Sequence, residues 1–82
     1  MVFRILLFVF LFLSAVSIFG QESRLAAEYF RYGEYDKAAV LYHQLYKSSR
    51  NTGFFVQYYK SLLFAERYDE AMNAVDDHLK SN

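Results

Sequence analysis

The side chains best able to do chemistry in this sequence are two histidines and a few clustered carboxylates. His43 and His78 are the only histidines, and the chain has no cysteine. A metal centre would therefore have to be assembled from imidazole and carboxylate donors, three or four of them convergent. One helical turn beyond His43 lies Lys47, whose charge repels a metal cation. Asp76, Asp77 and His78 are consecutive, so on a helix their side chains fan out to different sides. Both histidines thus read as ordinary surface or interface residues. Acid–base catalysis would need carboxylates facing one another across a cleft. Asp36 and the Asp69–Glu70 pair instead read as first-turn residues, where the helix macrodipole favours negative charge. Glu22 and Glu28 read as solvated surface. No glycine-rich phosphate loop or nucleophile elbow is present. The expectation is a protein that is not an enzyme, with no catalytic, cofactor-binding or metal-ligating residues and no cofactor.

The elements that would position any site come next, and they are unevenly built. The chain has 82 residues, 55% hydrophobic and 21% aromatic, with no proline or tryptophan. Residues 5–13 form an unbroken apolar run, ILLFVFLFL. Met1 and Arg4 put positive charge ahead of it, and Ser14, Ala15, Ser17 and Gly20 supply small residues behind it. A basic start, a short apolar core and a small-residue end is the pattern of a secretory signal peptide. Cleavage after Ser17 or after Gly20 fits the pattern. The rival reading is a retained membrane anchor, but the 16 residues between Arg4 and Gln21 fall short of the roughly 20 that a spanning helix needs. Residues 1–20 are thus expected to be an export signal, and the protein to reside in the periplasm, cell envelope or medium.

Removing residues 1–20 takes away Arg4 alone and leaves a net charge of −1. A nearly neutral chain offers no electrostatic case for nucleic acid, and it would meet a membrane only if the signal were retained. Without cysteine there are no disulfides, and so small a domain buries only about 60% of its unfolded surface. Marginal stability follows.

Laid on itself, the chain repeats. Gly33-Glu-Tyr-Asp-Lys-Ala-Ala39 matches Glu66-Arg-Tyr-Asp-Glu-Ala-Met72 at an offset of 33 residues, within the range of stacked repeats. The apolar positions predict four helices. The first covers about residues 22–32, with Leu25, Ala26, Tyr29 and Phe30 on its apolar side, and is ended by Gly33. The second covers about 35–49, with Ala38, Leu41, Tyr42, Leu45 and Tyr46 at helical spacing. A polar break at residues 48–53 follows, with Asn51 or Thr52 as cap. The third covers about 54–66 and the fourth about 68–80, the latter showing Ala71, Met72, Val75 and Leu79. The fold class expected is all-α: two stacked antiparallel helical hairpins, at about 22–49 and 52–80, behind a hydrophobic signal helix.

At these residues the chain resembles the tetratricopeptide repeat family. Leu25, Ala26, Tyr29, Gly33, Tyr35, Ala38 and Tyr42 fall on favoured positions of its motif in the first copy, and Phe55, Leu62, Tyr68 and Ala71 do so in the second. Departures are Glu66 in place of the turn glycine, Tyr59 at a position usually small, Arg50 where a proline is common and Leu45 where alanine is common. The resemblance covers about residues 22–80 and implies a protein–protein interaction scaffold that binds a protein or peptide in the groove lined by the first helix of each hairpin. By alignment the groove positions are Ser23, Ala27 and Phe30, then Val56, Lys60 and Leu63, with Phe64 as a further aromatic anchor. Ser23, Ala27 and Val56 do not reproduce the family's carboxylate clamp. Phe30, Tyr32, Tyr46, Phe54 and Phe64 are the aromatics singled out for partner contact, whereas Phe3, Phe8, Phe10, Phe12 and Phe19 belong to the signal.

Two repeats are fewer than the three or so that stacked arrays usually need. Met72, Val75 and Leu79 form an apolar face on the last helix. Either a second copy covers it, making a homo-oligomer or capping unit, or the chain opens a longer array.

Overall fold

The computed structural model describes the backbone of residues 2–81 and the side chains of residues 2–6 and 20–81. Among the described residues it is a helical, repeat-like all-α fold of four helices: α1 (Val2–Arg31), α2 (Tyr35–Ser49), α3 (Thr52–Phe64) and α4 (Tyr68–Lys80). The second and fourth lie where the periodicity put them.

The first and third differ from expectation. Instead of starting near Glu22, α1 runs without a break from Val2. Gly20, the weakest helix former on the way, costs about 1 kcal/mol, which does not stop a helix continued on both sides. The side chains of residues 7–19, which carry most of the export-signal expectation, lie outside the described residues. Among the described residues no helix is long and apolar enough to cross a membrane. Helix α3 is shifted two residues towards the N-terminus. The Asn51 side chain accepts a hydrogen bond from the Gly53 amide at 2.7 Å, so the cap falls at Asn51 and the helix starts at Thr52.

The other end of α3 is set by a turn that occurs twice. At the end of α1, Gly33 N–H donates to Phe30 C=O at 3.1 Å and Glu34 N–H to Tyr29 C=O at 2.8 Å. At the end of α3, Glu66 N–H donates to Leu63 C=O at 3.0 Å and Arg67 N–H to Leu62 C=O at 2.9 Å. This paired pattern is the Schellman motif, which requires a left-handed residue just past the helix. Gly33 adopts it at φ 81° and Glu66 at φ 62°. Glutamate thus takes a conformation that glycine takes freely.

Cross-helix contacts define the packing. His43 stacks on Tyr58 and Tyr46 meets Phe55, so α2 and α3 run antiparallel. Phe55 stacks on His78 and Leu62 clusters with Ala71, so α3 and α4 do the same. Pairs about one repeat apart lie side by side: Tyr46 bonds His78 across 2.6 Å, and Arg67 donates to Asp36 at 3.1 Å. Two apolar clusters fill the interior. Ala26, Ala38, Tyr42 and Leu45 form one, and Ala39, Leu62 and Ala71 the other. Ala26, Ala38 and Ala71 are wholly buried: a methyl group is all the space allows where backbones approach closely, and neighbouring rings fill the remainder.

Candidate partner-binding site

On α1, Ser23, Ala27 and Phe30 fall at i, i+4 and i+7, one side of a helix. They line a shallow depression of about 410 Å³, whose opposite wall is Asn51, Gly53, Phe54 and Gln57, with Tyr42 at its base. Burial pushes the Tyr42 phenol above its ordinary pKa.

At one end of this strip three aromatic rings converge. Phe30 meets Tyr35 edge-on at 5.1 Å and Phe64 at 5.5 Å. Tyr35 and Phe64 stack at 5.1 Å. Lys60 extends over the Phe30 ring, its Nζ 5.9 Å from the centroid, a distance at which the ring face attracts a cation. Phe30 of α1 is therefore brought to Lys60 and Phe64, one turn apart on α3. Phe64 remains 57% exposed and Lys60 is exposed, so apolar surface and a positive charge are presented side by side.

Other expected groove residues are placed differently. Val56 is 44% exposed and does not line the depression. Leu63 is half-buried and packs against the Ala39–Leu62–Ala71 cluster. The wall facing α1 is instead built from residues 53, 54 and 57, turned by about one residue from the expected line. Alignment at a fixed offset picks residues that point the same way on two parallel helices. A wall that faces the neighbouring helix must be rotated from them by about one residue, roughly 100°.

Of the aromatics singled out for partner contact, Phe30, Phe54 and Phe64 belong to this strip. Tyr46 is buried and bonded to His78, and Tyr32 is exposed beside Arg31. Asn51 and Tyr42 were legible only as cap and core. Gln57 carried no signal, because a polar residue on a helix reads as solvated until its neighbours are known. Among the described residues, no group of three or more histidine, aspartate or glutamate side chains is placed to hold a metal ion. His43 stacks on Tyr58 with centroids 4.6 Å apart. Burial and, secondarily, the charge of Lys47 hold its pKa below the ordinary imidazole value.

No family model, curated protein or solved structure matches the chain.

Proposed function

We propose that the protein is an exported, non-catalytic interaction scaffold of tetratricopeptide type, its two hairpins stacked so that α1 and α3 form a groove for a protein or peptide partner. The observation that carries this reading is the convergence of Phe30, Phe64 and Lys60 at the junction of the two repeats. An apolar anchor beside one cation suits a partner that inserts an aromatic or aliphatic side chain next to a carboxylate. Burying such a side chain contributes about 1.5–3 kcal/mol, and the lysine sets orientation. The twice-used Schellman turn supports the repeat assignment, and the sequence of residues 1–20 supports export.

A photo-crosslinking amino acid placed at Ala27 or Gln57 tests the groove in the host cell, with the same group at Lys37 as control. Adducts formed at the groove positions, and lost when Lys60→Ala is added, are the expected result. Equal labelling from all three positions would sink the groove reading.

A second reading is favoured by α4. Met72 and Leu79 are 71% and 67% exposed, yet one repeat earlier Ala39 and Tyr46 are buried. This open face suits self-association or a following repeat, with the chain acting as a capping or assembly unit, tethered to a membrane if residues 5–20 are retained. Sedimentation equilibrium separates the two readings: a strict monomer argues against self-association.

A further inference from the structure

A second concavity, of about 450 Å³, lies away from the α1–α3 groove, between α2 and α4 with α3 as its floor. The floor is aromatic: Phe55 under the stacked ring of His78, and Tyr58 under that of His43. Its walls carry opposite charge. Lys47 and Arg50 stand on the α2 side, and Glu70 and Asp77 on the α4 side.

These charges do not neutralise one another across the gap. Among the described residues the ion pairs are Lys37–Glu34, Arg67–Asp36, Arg67–Glu70 and Lys80–Asp76. Lys47, Arg50 and Asp77 are in none of them. Arg50 is instead laid over the Tyr46 ring at 5.0 Å, which holds it at the rim. Two contacts bridge α2 and α4. Tyr46 and His78 tie α2 to α4 near one end at 2.6 Å, and Asp36 and Arg67 tie them near the other at 3.1 Å. The result is a preformed slot with a basic wall, an acidic wall and a flat aromatic base.

We propose that this slot binds an extended peptide segment whose side chains alternate acidic and basic, the acidic ones towards Lys47 and Arg50 and the basic ones towards Asp77, Glu70 being held by Arg67. An extended chain sends successive side chains to opposite sides, which is the symmetry that two oppositely charged walls require. The peptide backbone lies over the floor, where the His43 and His78 rings are stacked on Tyr58 and Phe55.

The chain has no tryptophan, so a tryptophan-tagged probe reports binding by its own fluorescence anisotropy. The probes are Ac-Trp-Glu-Lys-Glu-Lys-NH2 and its isomer of equal charge, Ac-Trp-Glu-Glu-Lys-Lys-NH2. Each is titrated with the full chain held in non-ionic detergent. Expected is tighter binding of the alternating probe, weakened about five-fold by Lys47→Glu and similarly by Asp77→Lys, in line with exposed ion pairs. Lys60→Ala, on the other groove, leaves it unchanged. Equal affinity for the two isomers, no binding of either, or indifference to both charge reversals overturns the proposal. So does a loss caused by Lys60→Ala, which would place the probe in the α1–α3 groove. Circular dichroism confirms that each variant, altered only at exposed positions, keeps its helices.

Discussion

Replacing Glu66 by glycine should stabilise this protein, although it removes a whole side chain. Glu66 holds φ 62° in the turn after α3, where Gly33 holds φ 81° after α1. The same two backbone hydrogen bonds close both turns, so the two positions are matched in everything but the residue. A side chain in the left-handed region costs about 1–2 kcal/mol, and glycine abolishes that cost. Against it stands the greater freedom glycine gives the unfolded chain, about 0.4–1 kcal/mol. The Glu66 side chain takes part in none of the ion pairs among the described residues and is exposed, so little else is lost. The net expectation is a gain of about 0.5–1 kcal/mol. In a chain this small that raises the melting temperature by roughly 3–6 °C. The mirror experiment is Gly33→Ala. A Cβ there meets nothing within 4 Å, so its effect is that of backbone conformation alone, a loss of about 1 kcal/mol. Urea and thermal melts of the full chain, followed by far-UV circular dichroism, measure both variants. A neutral or destabilised Glu66→Gly alongside a harmless Gly33→Ala would refute the left-handed turn as the source of the difference.

Leu62 is 1% exposed in the cluster it shares with Ala39 and Ala71. Leu62→Ala should cost about 3 kcal/mol, a large share of a small domain's stability, visible as a lowered urea midpoint with unchanged slope. Tyr46→Phe removes the half-buried hydrogen bond to His78 and should cost about 1 kcal/mol. A double-mutant cycle with His78→Phe checks that the loss belongs to the pair. Because burial, then Lys47, depresses the His43 pKa in the folded chain, the unfolded state binds the proton more readily. The contribution to stability is therefore full above the ordinary imidazole pKa and is lost as pH falls through it towards the folded value. NMR titration of the His43 ring should give a midpoint below the ordinary value, moving up in Lys47→Gln.

Much of the architecture was legible from local chemistry. Tyr35–Ser49 and Tyr68–Lys80 form helices because their apolar residues recur at helical spacing and their first turns carry Asp36, Asp69 and Glu70. Gly33 marks a turn because it is the residue best suited to a positive φ. The fusion of residues 2–20 with the first repeat helix was not legible. Composition divides signal from domain by what each segment would do in a cell, whereas a backbone helix is interrupted only by something that breaks it. The repeat placed a turn at Glu66, but the left-handed conformation of a glutamate there, at φ 62°, had no signal in the residue itself.

The candidate sites divide along the same line. Phe30, Lys60 and Phe64 could be singled out from the sequence as exposed or aromatic positions of the repeat. That they meet, that Leu63 turns inward, and that Asn51, Phe54 and Gln57 supply the facing wall depend on the rotation of α3 against α1. The dipolar slot between α2 and α4 depends on structure still more. In sequence Lys47, Arg50, Glu70 and Asp77 are scattered surface charges. Sequence by itself determined which faces of each helix are apolar and where the chain turns, because those are set by neighbours within a few residues. Tertiary structure alone decided which charges face one another across the slot, because that depends on distances between helices that no local pattern encodes.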